Sequence, residues 1–148
     1  MAEGHLKPTQ RLDGRVTFHD PCYLGRHNGI FDAPRRVLAG IPGLDLVEMV
    51  DSRESSLCCG GGGGGAWDTH PIEKRPGALR VRQALDVGAD VIVTACPYCA
   101  RMLDDAVKTL GVDRRIVVQD LAVLLLSSVQ TSPETIPVES TSLEVAHV

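Results

Sequence analysis

All five cysteines of the chain fall in three short segments: Cys22, the adjacent pair Cys58-Cys59, and Cys96-Pro97-Tyr98-Cys99. This pattern constrains the fold more than any apolar run does, because positions far apart in sequence must meet if the thiols share one centre. The pair runs directly into an unbroken stretch of glycine, Gly60 to Gly65. Adjacent residues of an extended strand point to opposite sides. Glycine reaches backbone conformations closed to other residues, so a turn there can bring both sulfurs to one point. Several thiolates held together are what a soft-metal centre needs.

The length of 148 residues suits one domain. A formal charge of −4 and a pI near 5.7 argue against nucleic acid as a partner. No window holds the run of about 18 apolar residues that a membrane span requires. Met1 to Gln10 lacks the apolar centre of a signal peptide. An odd cysteine count without an export signal points to a reducing, cytoplasmic setting, with any membrane contact made through a partner subunit.

Residues 1–14 read as a flexible lead-in, 15–129 as the domain and 130–148, rich in Ser, Thr, Pro and Glu, as a disordered tail. Arg15 to His19 reads as a strand running into Asp20-Pro21-Cys22. A helix is expected over Asp32 to Ala39, with Asp32 as N-cap and Pro34 in the first turn. A second strand is expected over Leu46 to Val50, then a glycine-dominated loop over Asp51 to Asp68. A helix follows over Pro76 to Val87, with Leu79, Val81 and Leu85 on its apolar side and Gly88 as its stop. Asp90 to Ala95 carries the apolar run of a central strand. Cys96 then stands at an N-cap position and Pro97 in the first turn of a helix reaching Leu110. Arg115 to Gln119 reads as a fourth strand, and Asp120 caps a last helix to about Val129.

This alternation argues for an α/β domain with a parallel sheet of about four strands flanked by helices. Ligands of such sheets collect at the carboxyl ends of the strands. Cys22 follows the first strand, Cys58-Cys59 lie in the loop after the second and Cys96 follows the third. All three segments are therefore expected at one edge of the sheet.

Cys96 and Cys99, three residues apart on a first helical turn, share a face, and the positive helix end favours thiolate. Backbone N–H groups of Gly60, Gly61 and Gly62 can hydrogen-bond sulfur. Arg26, His27 and Arg101 lie near the cysteines in sequence, where they either offset thiolate charge or form solvated surface. Tyr23 and Tyr98 adjoin cysteines and either pack or keep water from the site. Trp67 and Asp68, just after the glycines, are candidates to border the site, against which a packing role is the stronger expectation for Trp67. His19 and His27 flank Cys22. A proton-donor role competes there with a structural one, as a strand end for His19 and a loop residue for His27.

The residues alone leave three chemistries open. One is a tetrahedral zinc site on four of the five thiols, making the chain a structural interaction module. Another is a dithiol oxidoreductase on Cys96 and Cys99. The last is an iron–sulfur cluster using all five. Val91 to Cys99 resembles the active site of glutaredoxins, and Thr135-Ile136-Pro137 resembles their cis-proline motif. That family, however, carries its CxxC near the start of the fold, and it leaves Cys22, Cys58-Cys59 and the glycines unexplained.

The whole pattern resembles the cysteine-rich CCG domain family. The matching residues are His19-Asp20-Pro21-Cys22, Cys58-Cys59-Gly60-Gly61-Gly62, the run Gly88 to Ala95, and Cys96-Pro97-Tyr98-Cys99, across roughly residues 15–126. The family includes the B-type and D-type components of heterodisulfide reductases and the iron–sulfur subunits of glycolate oxidase, lactate-utilisation enzymes and anaerobic glycerol-phosphate dehydrogenase. The resemblance implies an electron-transfer or disulfide-reducing module of an oxidoreductase, with Cys22, Cys58, Cys59, Cys96 and Cys99 as ligands of a 4Fe–4S cluster of non-cubane type. Family proteins usually hold two copies of the motif and this chain holds one. The implied partners are subunits with ferredoxin-type clusters or flavin, or a second CCG unit, reached in one version by homodimerisation. Some CCG units bind zinc, which keeps that metal as the alternative.

Overall fold

Ile92 and Val93 point to opposite faces of one strand, and both are fully buried. That requires cover on both sides, and the chain supplies it. The computed structural model describes residues 6–67 and 69–129. Its four strands are β1 (Gly14–Phe18), β2 (Leu44–Leu46), β3 (Val91–Thr94) and β4 (Val117–Asp120). They form a wholly parallel sheet in the order β2-β1-β3-β4. The helices α1 (Asp32–Ala39), α2 (Pro76–Asp86), α3 (Pro97–Thr109) and α4 (Leu121–Ser128) alternate with them. Among the described residues, no helix is long and apolar enough to cross a membrane. The expected α/β class and parallel sheet are therefore found. Met1 to His5, Asp68 and the tail from residue 130, with Thr135-Ile136-Pro137, lie outside the described residues.

Two apolar clusters flank the sheet. Val16, Phe18 and Val93 pack with Leu38 of α1 and Leu124 of α4. On the other face Ile92 packs with Val81 and Ala84 of α2 and with Leu103, Ala106 and Val107 of α3. Cys59 and Cys99 belong to this second cluster, so the site grows directly out of the core. Gly77 lets α2 come close: a β-carbon there would meet the Cys59 carbonyl at 3.2 Å and the Met102 carbonyl at 3.3 Å.

Three local expectations are corrected. Phe31, not Asp32, occupies the N-cap of α1, without a side-chain cap. The Asp32 carboxylate is turned instead to the Arg53 guanidinium at 2.7 Å, which holds it below the usual carboxylate range. The second strand ends at Leu46 rather than running to Val50. The Val47 amide still reaches Val16 at 2.9 Å, but Met49 then turns into the core and Val50 is 80% exposed. On α2, Leu79 is exposed, and the inner face is made by Gly77, Ala78, Arg80, Val81 and Ala84. Small neighbours there make room for a fully buried arginine.

A buried charge network joins the segment after β1 to β2 and to the loop beyond it. The Arg35 guanidinium of α1 donates to both oxygens of Asp20, at 2.7 and 3.0 Å, and to Glu48, just past β2. Its burial works against the charged form, but the hydrogen bonds to Glu48 and Asp20 outweigh that and raise its pKa. Asp20 also accepts the backbone N–H of Arg53 at 2.8 Å. Arg53 sits at a positive φ of 57°, a conformation that non-glycine residues seldom hold without surrounding support.

Asp20→Ala would leave the Arg35 charge short of a partner in the interior and release the Arg53 turn. Removing one partner of a buried pair costs about 3–5 kcal/mol. Urea denaturation is predicted to show a loss of that order for Asp20→Ala. Asp32→Ala, whose pair with Arg53 is solvent-exposed, should leave the midpoint close to wild type.

Candidate metal centre

The chain lays β2 on one side of β1 and then returns to lay β3 on the other. Between β1 and β3 the direction of sheet growth reverses, and at such a switch point the carboxyl ends of the strands open into a crevice. The His19 amide extends the β1 pairing by donating to the Val93 carbonyl at 2.8 Å. Cys22 follows from β1, and Cys96 is the N-cap of α3 immediately after β3. The loop bearing Cys58-Cys59 is tied to the same place. Besides the Arg53-to-Asp20 bond, the Arg26 guanidinium donates to the Ser56 carbonyl at 3.0 Å.

All five cysteines line one cavity of about 540 Å³. All are free thiols; Cys59 and Cys99 are buried, Cys22 and Cys96 half-buried and Cys58 exposed. The three sulfur segments thus meet at one edge of the sheet. Gly61 and Gly62 also line the cavity, with Gly63 and Gly64. Gly60 does not line it but donates its N–H to the Cys58 sulfur at 3.3 Å. The glycine turn is closed tightly: a β-carbon on Gly65 would fall 2.2 Å from the Gly60 carbonyl oxygen.

The deepest donors are His19, Cys59 and Cys99, whose ligand atoms lie within 4.8 Å of one another, all buried. The two sulfurs behave as a pair. Hydrogen bonding from the Cys99 thiol, with further bonds from His19 and the Gly61 N–H, overrides burial and lowers Cys59 to about 4. The same contact with Cys59, together with burial, pushes Cys99 strongly up. The contact favours the thiolate at Cys59 and disfavours it at Cys99.

Behind His19 lies Arg80, 0% exposed. Its Nε donates to His19 Nδ1 at 3.2 Å, and its Nη1 donates to Gln83 Oε1 at 2.7 Å and to the Asp51 carbonyl. Burial lowers Arg80 to about 10, with Asp20 and Asp51 opposing the shift. Arg80 was not expected from the sequence, and His19, a candidate proton donor beside Cys22, is found against the buried Cys59 and Cys99. A signal was present for both. His19 continues the alternation of β1 on the side of Thr17, and Arg80 sits among Gly77, Ala78 and Ala84, too small to fill a helix face alone.

The remaining expectations divide. His27 is exposed and stacks at a tilt on Tyr23, ring centres 5.3 Å apart, outside the cavity wall. Arg101 is exposed and lines a shallow groove with Pro97 and Tyr98. Trp67 does not pack: it is 86% exposed, and Tyr23 and Tyr98 are 75% and 72% exposed. All three aromatics line the cavity wall, so they rim its mouth instead of joining the core.

The sequence matches the cysteine-rich domain family named CCG over residues 16–104, a span that holds every cysteine. It is 44% identical over 129 residues to the probable iron–sulfur-binding oxidoreductase FadF of Bacillus subtilis, covering 87% of this chain and 18% of that protein. It is 42% identical over 127 residues to one subunit of the dihydromethanophenazine:CoB–CoM heterodisulfide reductase of Methanosarcina barkeri, covering 86% of this chain and 31% of that one. Against the EtfAB:quinone oxidoreductase of Syntrophomonas wolfei the identity is 37%, over 88% of this chain and 19% of the relative. The chain thus spans less than a third of each of these relatives.

Gly65→Ala forces backbone apart at the closure of the glycine turn, whereas a β-carbon on Gly62 meets nothing within 4 Å. Metal per chain is predicted to fall sharply in Gly65→Ala and to stay at the wild-type level in Gly62→Ala, as elemental analysis of the purified proteins would show.

Proposed function

The chain belongs to the cysteine-rich CCG family, and from that premise we propose that it is an iron–sulfur electron-transfer unit of a larger oxidoreductase. The observation that carries this reading is the convergence of all five free thiols on one cavity. A tetrahedral zinc site needs four ligands, and a dithiol centre needs two. A cluster uses them all, and the glycine turn beside them supplies N–H donors to its sulfurs. The donor set fits: soft sulfur ligands, of which two are buried and the others reach toward the opening. Cys22, Cys58, Cys59, Cys96 and Cys99 hold the cluster, which supplies reversible one-electron oxidation and reduction.

The protein's own part is to position and tune. The Gly60 N–H to Cys58 sulfur and the Gly61 N–H to Cys59 sulfur donate toward groups that grow more negative on reduction. The core beneath Cys59 and Cys99 excludes water from one side, while Tyr23, Trp67 and Tyr98 leave the other open to a partner. An open mouth and a cluster without any other cofactor motif suit a relay between redox centres carried by other chains or domains. Those partners are flavin or iron–sulfur proteins, or a second CCG unit. FadF, the heterodisulfide reductase subunit and the quinone oxidoreductase are all redox proteins by name, which supports the class.

Protein purified without oxygen is predicted to contain about four irons with matching acid-labile sulfide and to give a cluster EPR signal on reduction. Stoichiometric zinc without sulfide, even from iron-fed cells, would withdraw the electron-transfer reading in favour of a structural module. Single Cys→Ala changes at positions 22, 58, 59, 96 and 99 should each alter the EPR signal. An unaltered signal in any two of them would break the five-ligand assignment.

A further inference from the structure

His19, Cys59 and Cys99 are three buried donors within 4.8 Å, a set that by composition alone suits a zinc or iron ion. The hydrogen bond on the far side of the imidazole speaks against that use of the histidine. A guanidinium has five N–H donors and no acceptor, so a nitrogen facing it must carry a lone pair. His19 Nδ1 receives the Arg80 Nε–H at 3.2 Å. A neutral imidazole carries one proton, which then sits on Nε2, and a nitrogen holding a proton cannot ligate. We infer that Arg80 fixes His19 in the Nε2–H form, so that His19 is a hydrogen-bond donor toward the buried Cys59–Cys99 sulfurs and not a metal ligand.

The polarity is the reverse of a metal-binding histidine. There the second ring nitrogen donates to a carboxylate or carbonyl, which makes the first more basic. Here the second nitrogen accepts from a cation. Ligation through Nε2 would require the proton to move to Nδ1 and face the Arg80 N–H, two donors against each other. Arg80 cannot readily withdraw. It is 0% exposed, and its Nη1 is held by Gln83 and the Asp51 carbonyl. The Gln83 amide in turn donates to the Asp51 carboxylate, locking α2 to the loop that leads to Cys58. Arg80 Nη2 is buried without a hydrogen-bond partner among the described residues. A buried donor left unpaired is unfavourable, a cost that Arg80 carries while its Nε and Nη1 hold His19, Gln83 and Asp51 in place.

An N–H donor to a ligand sulfur stabilises the reduced, more negative cluster and so raises its potential. This consequence rests on the cluster reading above; the tautomer does not. Long-range proton–nitrogen spectra of the full chain, reduced and metal-free, would identify the form directly, with His19→Gln assigning the signal. The Nε2–H pattern is expected. The Nδ1–H pattern or an imidazolium pattern at neutral pH would overturn the inference. In Arg80→Met the pattern should shift away from Nε2–H; an unchanged spectrum would remove Arg80 from the argument, and if that variant does not fold the wild-type spectrum still decides.

In the reconstituted protein, His19→Leu and His19→Gln should both keep wild-type iron and sulfide. The potential should fall in His19→Leu and recover toward wild type in His19→Gln, which restores an N–H donor. Loss of metal from both variants with native circular dichroism would make His19 a ligand and sink the proposal. If wild-type protein binds no iron at all, the proposed function fails while the tautomer measurement still stands.

Discussion

Asp20 is the junction on which the site depends. Its carboxylate takes two bonds from Arg35 and one from the Arg53 backbone, so a single side chain fixes α1, the end of β1 and the loop carrying Cys58-Cys59. Without it the cysteine pair would hang from a long segment with little regular structure. Loop closure over such a span is entropically unfavourable, and interior hydrogen bonds must offset it. Arg35 also reaches Glu48, so β2, the shortest strand, is held at its exit as well. The site's rigidity therefore comes from a buried ionic network placed beside it. The glycines contribute shape but no stiffness.

That network lies where the sheet topology would put a ligand. The order β2-β1-β3-β4 places the switch point between β1 and β3, and the strand-end residues His19 and Cys96 stand at its two sides. The carboxyl ends of parallel strands are natural sites for exposed functional loops. This chain differs from a nucleotide-binding relative of the architecture in what fills the crevice. Thiols stand where a phosphate would meet a helix N-terminus, and the N-cap of α3 is itself a cysteine.

Much of this was legible in the residues. The apolar run before Cys96, the Pro97 start of α3 and the Asp120 cap of α4, whose side chain accepts the Ala122 N–H, follow local rules and were found as expected. The convergence of the cysteines followed from topology alone. What was hidden depends on contacts between distant segments. Asp32 reads as a cap until Arg53, far along the chain, takes its carboxylate. Leu46 to Val50 reads as strand until Glu48 and Met49 are seen to have better partners in Arg35 and the core. Trp67 reads as packing by size, yet it stands exposed beside the cavity with Tyr23 and Tyr98. Arg80 is the sharpest case, since a charged residue inside a helix reads as surface unless its neighbours on that face are noticed to be small.

Charge accounting shows why the site needs a metal and why the arginines around it do not replace one. Several thiolates in one cavity repel one another, and a buried charge left unpaired is strongly unfavourable. Two nearby arginines are already paired with carboxylates: Arg35 with Asp20 and Glu48, and Arg53 with Asp32. Arg80 and Arg26 differ, because their described hydrogen bonds go to neutral groups, and Arg26 lines a crevice with Cys22 and Cys58. In the metal-free chain contact between the two sulfurs favours the Cys59 thiolate and disfavours the Cys99 thiolate. Metal binding must displace the Cys99 proton, since the thiolate is the ligand. Occupancy is therefore coupled to proton release at the most buried point of the site, beside His19. Arg26 can offset part of the thiolate charge, and the metal itself supplies the rest.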